Sequence, residues 1–161
     1  DLPIIAEDLG FLTDSVRRML KESGYPGMKV LQFAFDSREE SDYLPHNYEK
    51  NCVVYTGTHD NDTLCGWYKV LDPDDLKLSQ KYMNNANTPK TQIHWDFIRL
   101  ALASVANLCI IPLQDYLGLG SEARINTPST LGNNWRWRMK SGCLTKAFAE
   151  QIKEMTKLYG R

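Results

Sequence analysis

The sequence lacks the features that mark several large classes of protein. None of its apolar runs approaches the ~18 residues that a membrane-spanning helix needs. Its net charge is −1, with lysine and arginine spread along the chain, so we expect neither nucleic acid nor a membrane as a partner. It contains no G-x-S-x-G motif, P-loop or dinucleotide-binding glycine fingerprint. With 161 residues, 42% of them hydrophobic, the composition is that of one globular domain.

Cysteine pairs with metal-binding or redox spacing are also missing. The four cysteines are Cys52, Cys65, Cys109 and Cys143. They form no C-x-x-C motif, so neither a zinc site nor a thioredoxin-like centre is indicated. Cys52 and Cys109 lie in apolar, strand-like runs, where a free cysteine behaves as a small hydrophobic residue. We therefore expect reduced thiols and a cytoplasmic location.

The first residues do not fit a targeting segment. The sequence has no initiator methionine, and no basic region precedes the apolar residues 2–6, which argues against a signal peptide. The apolar stretch resembles the middle of a strand. We therefore expect the chain to be part of a longer protein.

Hydrophobic periodicity predicts alternating strands and helices. Short apolar runs predict strands at residues 2–6, 28–35, 53–55 and 108–113. Amphipathic patterns predict helices at residues 14–22, 73–83, 92–106 and 144–159, and residues 118–135 are expected to be irregular. Short buried strands that alternate with helices favour a parallel sheet, so the predicted fold class is α/β with parallel strands.

Polar or acidic residues follow each predicted strand. They are, in chain order, Glu7 and Asp8, then Asp36, then His59, Asp60 and Asp62, then Asp115. Because the carboxyl ends of parallel strands meet at one edge of a sheet, we expect an acid-lined site there. Four strands do not close an eight-stranded barrel, which leaves either a small open sheet or half of a barrel.

Glu7 and Asp60 are the carboxylates that parallel packing would bring into one pocket. Such a pair suits general acid–base chemistry, because one charge raises the pKa of its neighbour. For both residues the structural alternative is a helix cap or loop position, with Asp60 or Asn61 capping a helix at residue 64. His59 beside Asp60 also fits the dyad of metal phosphohydrolases, although the other histidines lie at no metal-ligand spacing.

Aromatic residues make up 11% of the chain, including four tryptophans and eight tyrosines. Aromatic rings suit apolar ligand faces such as sugar rings, and they fill protein cores equally well. Residues 135–138 (WRWR) either form an aromatic–cationic stack for a ligand or clamp a loop onto the body of the protein. The sequence favours the clamp.

Several blocks of the sequence resemble the 4-α-glucanotransferases (amylomaltases), glycoside hydrolase family 77. They are residues 5–10 (IAEDLG), 26–36 (PGMKVLQFAFD), 44–48 (LPHNY), 55–63 (YTGTHDNDT), 114–115 (QD), 123–128 (ARINTP) and 134–138 (NWRWR). The blocks stand in order and cover nearly the whole chain. The resemblance implies the C-terminal half of a (β/α)8 TIM-type barrel, about strands 5 to 8 with their helices. Residues 1–161 would then form the C-terminal part of the catalytic domain.

The resemblance also implies roles for individual residues. Glu7 would be the acid/base, and Asp60 the acid that stabilises the transition state, with His59 on the same sugar. Further implied sugar contacts are Asp36, Phe33, Phe35 and Asn126. The nucleophilic aspartate would lie upstream of this sequence. Ser37 stands where several relatives carry an acid, which puts a sugar contact there in doubt.

The implied activity is retaining transfer of α-1,4-glucan segments between maltooligosaccharides or starch-type glucans, without a metal or organic cofactor. The fragment alone is expected to be inactive, and to self-associate or need the missing half because its edge strands are unpaired. Two alternatives stay open. One is a glucan-binding or structural fragment without turnover, and the other is a metal-dependent phosphohydrolase that uses His59 and Asp60.

Overall fold

The structure is a computed structural model that describes residues 3–10 and 12–161. Its three strands are β1 (Gly27–Val30), β2 (Cys52–Tyr55) and β3 (Leu108–Ile110). They form a parallel sheet in the order β1-β2-β3. The predicted α/β class with parallel strands is therefore confirmed.

The register of the sheet aligns the carboxyl ends of the strands. Val30, the last residue of β1, is opposite Tyr55, and Tyr55 is opposite Ile110 at the end of β3. The chain therefore leaves all three strands at the same edge, where ligands bind in parallel α/β folds.

Helices connect and cover the strands. They are α1 (Asp14–Ser23), α2 (Leu64–Lys69), α3 (Pro73–Met83), α4 (Ile93–Ala103), α5 (Leu113–Tyr116) and α6 (Lys146–Leu158). The four predicted helices are confirmed as α1, α3, α4 and α6, with ends that differ by at most three residues. Asp72 caps α3, because its Oδ1 accepts a hydrogen bond from the Asp74 N–H at 2.9 Å. Thr13 occupies the N-cap of α1 without a side-chain capping bond.

Two predicted strands differ from the structure. Residues 3–6 form no strand, and Leu2 lies outside the described residues. A backbone hydrogen bond from the Ala6 N–H to the Pro26 carbonyl (2.9 Å) nevertheless holds this segment beside the start of β1. The strand predicted at residues 28–35 ends at Val30, because Leu31–Phe33 curl into a 3-10 turn.

The remaining two predicted strands are present, and one is shorter. The strand at residues 53–55 is confirmed as β2, whereas the strand at residues 108–113 stops at Ile110. Pro112 has no backbone N–H that could bond to a neighbouring strand, and it forms the N-cap of α5 instead. Helix α2 begins at residue 64, where the sequence offered a helix only as the structural alternative for Asp60 and Asn61. The short helix α5 was not predicted, since it is too short to show helical periodicity.

The largest cluster of buried side chains lies around α4. Phe97 and Ile98 on this helix are fully buried. The Phe97 ring contacts the edges of Trp67, Tyr68 and Phe35, with ring centroids 5.3–5.9 Å apart. Full burial of a side chain of this size stabilises a fold by about 1.5–3 kcal/mol. This core backs the sheet and fixes the position of its carboxyl edge.

Two further properties concern the helices and the thiols. Within the described parts of the chain, no helix is both long enough and apolar enough to span a bilayer. All four cysteines are free thiols. Burial raises the pKa of Cys109 to about 11, so this thiol stays protonated at neutral pH.

His94, in the first turn of α4, is buried against a glycine. The side chain is 5% exposed, and its Nδ1 has no hydrogen-bond partner among residues 3–10 and 12–161. A Cβ on Gly118, whose φ is +62°, would lie 2.8 Å from His94 Cε1. Burial lowers the pKa of His94, so the imidazole stays neutral to a lower pH in the folded protein than in the unfolded chain.

We expect this histidine to make the fold less stable in mild acid. Below its usual pKa of about 6.5, His94 takes up a proton more readily in the unfolded chain, so the free energy of unfolding falls as the pH drops. His94→Gln, which does not titrate, should lose that part of the dependence. Urea unfolding of both proteins at about pH 7.5 and about pH 5 measures the difference.

The comparison between the two proteins removes an opposing contribution from Asp115. The pKa of that carboxyl is raised from 3.8 to about 6, so its ionisation destabilises the fold as the pH rises through this window. Because Asp115 is present in both proteins, its contribution cancels in the difference. Equal pH dependence in wild type and His94→Gln would show that His94 does not titrate differently on folding.

Candidate active site

A cleft with a volume of about 960 Å³ opens at the carboxyl edge of the sheet. Side chains that follow each of the three strands line it, together with parts of residues 7–10 and 124–128. Glu7 and Asp60 both belong to this lining, and so do His59 and Phe33. The structure thus brings together the two carboxylates that the sequence analysis placed in one pocket.

A tight turn after β2 presents His59 and Asp60 to the cleft. The Thr58 N–H and Oγ1 both donate hydrogen bonds to Asn61 Oδ1, at 2.8 and 2.9 Å. The Asp60 N–H in turn donates to Thr58 Oγ1 at 3.3 Å. The polar side chains at positions 58 and 61 therefore close the turn, and those of His59 and Asp60 stay about half exposed.

Thr63 caps α2, and neither Asp60 nor Asn61 does so. Thr63 Oγ1 accepts a hydrogen bond from the Gly66 N–H at 3.1 Å. The alternative of a helix cap at Asp60 or Asn61 is therefore wrong. Because Asp60 lies outside the cap, its carboxylate is left to face the cleft.

A remote segment of the chain holds Asp60 in place. Asn126 Nδ2 donates to Asp60 Oδ1 at 2.6 Å, and His59 Nε2 lies 3.3 Å from the same oxygen. Arg124 Nη2 donates to the backbone carbonyl of Asp60 at 2.7 Å. Asn126, for which a sugar contact was expected, touches Asp60 and is not part of the cleft lining.

Trp135 packs against His59. The two rings are tilted by 34°, with centroids 5.1 Å apart. The backbone N–H of Trp135 donates to the Ile125 carbonyl at 2.7 Å, and the backbone N–H of Asn126 donates to the His59 carbonyl at 3.1 Å. These contacts agree with the predicted clamp at residues 135–138, since Trp135 ties its loop to the turn that carries His59.

Aromatic rings form one wall of the cleft. Phe33, which is 42% exposed, meets the Tyr43 ring edge-on with centroids 5.5 Å apart, and Tyr55 also lines the cleft. Burial raises the pKa of both tyrosines, so their hydroxyls stay protonated at neutral pH. Neither tyrosine was predicted as a site residue, although Tyr55 stands at the carboxyl end of a predicted strand.

Phe35 and Asp36 are not part of the cleft lining, so the structure gives no support to the sugar contacts expected of them. Phe35 is 3% exposed and packs in the core against Phe97 and Tyr82. Asp36 accepts hydrogen bonds from Arg38 Nε (2.8 Å) and Nη2 (2.6 Å), and this pairing lowers the pKa of Asp36 to about 2. The physical reason is the 3-10 turn after Val30, since it turns the chain away from the extended course expected through residue 35.

The other acids that follow the strands do not line the cleft. Asp8 Oδ1 accepts from the Met28 N–H at 2.6 Å and ties residues 3–10 to β1. Asp62 Oδ2 accepts from Ser121 Oγ at 2.6 Å. Asp115 is buried. The edge of the sheet is therefore less acidic than its sequence suggests, and Glu7 and Asp60 are the strand-end acids that line the cleft.

Gly57, at the start of the loop after β2, makes room for a buried amide. A Cβ at Gly57 would lie 2.5 Å from Gln32 Nε2 and 3.2 Å from Asn61 Cβ. Gln32 is 7% exposed, and its Nε2 donates to the Asp62 carbonyl at 2.7 Å. The glycine thus allows the turn after β1 to support the loop after β2.

The structure offers no support for a metal centre at His59 and Asp60. Within residues 3–10 and 12–161, no group of three or more His, Cys, Asp or Glu side chains is placed to hold a metal ion. A mononuclear site of the kind found in metal hydrolases needs about three protein ligands.

Fold and cleft together define a parallel α/β unit with carboxylates and aromatic rings at the carboxyl ends of its strands. The sequence model of the 4-alpha-glucanotransferases, glycoside hydrolase family 77, matches residues 1–145. The chain belongs to this family.

Curated relatives and solved structures agree with this assignment. The chain is 49% identical to the 4-alpha-glucanotransferases of Clostridium butyricum and Synechocystis sp.. Both matches cover 100% of this chain, and they cover 33% of the Clostridium protein and 32% of the Synechocystis protein. It is 45% identical to the chloroplastic/amyloplastic 4-alpha-glucanotransferase of Arabidopsis thaliana, over 99% of this chain and 28% of that one. The chain thus spans about a third of the length of these relatives.

A Streptococcus agalactiae amylomaltase, solved in complex with acarbose, has the same fold. The TM-score is 0.93 at 39% identity, and the match covers 100% of this chain and 32% of the amylomaltase. A Corynebacterium glutamicum amylomaltase gives a TM-score of 0.69 at 15% identity, over 98% of this chain and 28% of that one, which shows a shared fold.

We predict that Gly57→Ala destabilises the protein by about 1–3 kcal/mol, because the new methyl group must displace the Gln32 amide from its bond to Asp62. Urea unfolding measures the loss. In a Gln32→Ala background the amide is absent, so the same Gly57→Ala change should cost clearly less. An equal cost in both backgrounds would show that Gln32 does not set the need for glycine.

Proposed function

We propose that this chain is the C-terminal part of a retaining 4-α-glucanotransferase that acts on α-1,4-glucans. The observation that carries the proposal is the presence of Glu7 and Asp60 in one cleft with exposed aromatic rings. Family membership supports the reaction type, and the carboxylates supply groups suited to it. The substrate would be a maltooligosaccharide or a starch-type glucan, and no cofactor is required by this chemistry.

In the proposed mechanism Glu7 serves as acid and then as base. An aspartate outside this chain attacks the anomeric carbon while Glu7 gives its proton to the leaving glycosidic oxygen. A covalent glycosyl-enzyme forms, and the shortened glucan departs. Glu7 then takes the proton from the 4-hydroxyl of an incoming glucan, whose oxygen attacks the same carbon and restores the original configuration.

Asp60 and His59 would bind hydroxyl groups of the sugar that reacts. Their contacts strengthen as the sugar ring flattens towards an oxocarbenium ion, which lowers the barrier instead of merely tightening binding. The hydrogen bonds from Asn126 and Arg124 fix the Asp60 carboxylate and backbone before substrate arrives. This support reduces the reorganisation that the transition state would otherwise require.

The rest of the barrel would come from a part of the protein outside this chain. We propose that residues 1–161 contribute about strands 5 to 8, with β1, β2 and β3 as the last three. Leu108 and Ile110 on β3 are 46% and 38% exposed, and an apolar edge of this kind needs a partner strand or covering segment. We therefore propose that the isolated chain is inactive and self-associates unless the missing half covers it.

The decisive experiment is to incubate the full-length protein with maltotriose and EDTA. The proposal expects glucose together with a ladder of longer maltooligosaccharides, visible by anion-exchange chromatography. The absence of a ladder would favour a glucan-binding protein without turnover, and loss of activity on adding EDTA would favour a metal enzyme. The isolated 161-residue chain should give no ladder, and clear turnover by it would contradict the assignment of an external nucleophile.

Glu7→Ala in the full-length protein should abolish transfer from maltotriose, because its sugar leaving group needs a proton. A donor with a good leaving group, such as an α-glucosyl fluoride, should keep part of its first-step rate. Azide needs no general base and should speed release of the trapped glycosyl group as an α-glycosyl azide. Product analysis by mass spectrometry measures both effects.

Asp60→Asn provides the matched control in the same assays. Since Asp60 is proposed to act in the transition states of both steps, this variant should lose several orders of magnitude with maltotriose and with the fluoride, and azide should not rescue it. If Glu7→Ala is as inactive with the fluoride as with maltotriose, and azide has no effect, Glu7 is not the acid/base.

A further inference from the structure

Both ends of the loop that carries His59 and Asp60 are bound to a single buried carboxylate. The loop comprises residues 57–63, between the end of β2 and the start of α2. Thr56, just before it, donates its hydroxyl to Asp115 Oδ2 at 2.5 Å. Leu64, just after it, donates its backbone N–H to Asp115 Oδ1 at 2.8 Å. The two oxygens of one rigid group therefore set the distance between the ends of the loop.

Asp115 and Thr56 are both buried, and backbone hydrogen bonds fix Asp115 in α5. Asp115 is 2% exposed and lies in α5, where its N–H donates to the Pro112 carbonyl at 3.0 Å. Thr56 is fully buried. The Asp115 carbonyl also accepts from the Gly118 N–H at 3.1 Å, close to the packing of Gly118 on His94. The carboxylate is thus fixed to the body of the protein through α5 and α4.

Ionisation of Asp115 costs stability at this buried position, whereas its two hydrogen bonds satisfy buried donors. Burial raises the pKa of Asp115 to about 6, although the Leu64 N–H and the Thr56 hydroxyl oppose the shift. The ionised form is therefore disfavoured in the fold, and at neutral pH it lowers the free energy of unfolding. A neutral amide would avoid that cost, but it could accept only one of the two hydrogen bonds and would have to donate to Thr56 Oγ1 in the other. What the carboxylate adds is two acceptors side by side.

We propose that Asp115 is a positioning residue, which fixes the width of the loop 57–63 and thereby the placement of Asp60 and His59 in the cleft. The catalytic part of this inference rests on the proposed function. Asp115 lies 51 and 59 residues from its two partners, so the loop cannot reproduce this constraint by itself. The internal bonds between Thr58 and Asn61 shape the turn, whereas Asp115 determines where the turn sits.

The test compares four single variants of the full-length protein and one double variant, which combines Asp115→Asn with Thr56→Val. Asp115→Asn keeps the shape and replaces one acceptor with an NH2 donor, so the bond to Thr56 survives only with its direction reversed. Thr56→Val removes the hydroxyl with little change in volume. Thr56→Ser retains the hydroxyl and should rescue the effect. Asp96→Asn is the matched control, since Asp96 Oδ2 accepts from Asn85 Nδ2 at 2.9 Å away from the cleft.

For Asp115→Asn and Thr56→Val we expect kcat to fall at least about tenfold, with KM changed by less than about threefold, because a displaced group acts mainly on the transition state. The double variant should be little worse than either single one, since both remove the same contact. Thr56→Ser and Asp96→Asn should stay within about threefold of wild type in kcat.

Hydrogen exchange provides a second readout that does not depend on activity. Peptides that cover residues 57–64 should exchange at least about tenfold faster in Asp115→Asn and Thr56→Val, while peptides from α4 keep their protection. If wild type shows no glucan transfer, the proposed function fails, and the exchange data still decide the positioning role. Should Asp115→Asn not fold, the Thr56→Val and Thr56→Ser pair decides it.

Two results would overturn the inference. The first is unchanged kcat and unchanged protection of residues 57–64 in Asp115→Asn and Thr56→Val. The second is faster exchange throughout the protein, α4 included, with a loss of activity that follows the loss of global stability. In that case Asp115 would serve the fold as a whole.

Discussion

The parallel pairing of β2 with both of its neighbours is the constraint on which the cleft depends. Because Tyr55 is opposite Val30 on one side and Ile110 on the other, three separate segments of chain emerge at one edge. A slip of one residue in either register would turn the side chains of a strand to its opposite face. The buried helix α4 packs behind this arrangement, so the core and the cleft share the same framework.

Contacts between distant parts of the chain complete the site. The turn that presents His59 and Asp60 is closed by its own side chains, but its position comes from residues 51 to 66 positions away. Asn126 acts on the carboxylate of Asp60, and Asp115 acts on the ends of the loop. Charge-assisted hydrogen bonds of this kind are directional, so they restrain orientation as well as distance. The cleft is therefore a property of the assembled fold and not of any single motif.

The difference between local and long-range contacts explains which features could be predicted from the sequence and which could not. Helices α1, α3, α4 and α6 follow from local periodicity, and the gathering of Glu7 and Asp60 follows from the geometry of parallel strands. The apolar residues 30–35 (VLQFAF) were less informative, because a buried turn and a buried strand have the same hydrophobic composition. Partners such as Asn126 with Asp60 depend on tertiary packing, which periodicity does not encode. Tyr43 lies in an irregular segment and gave no signal.

The backbone conformation of Trp135 affects which residues suit position 135. Its φ of +64° lies in the left-handed region, where a residue with a Cβ costs about 1–2 kcal/mol relative to glycine. The indole ring nevertheless covers the imidazole of His59. Glycine at position 135 would relieve this strain, but it would also remove the ring that covers His59. Tryptophan at this position therefore costs backbone stability and gains a contact with the turn that carries His59.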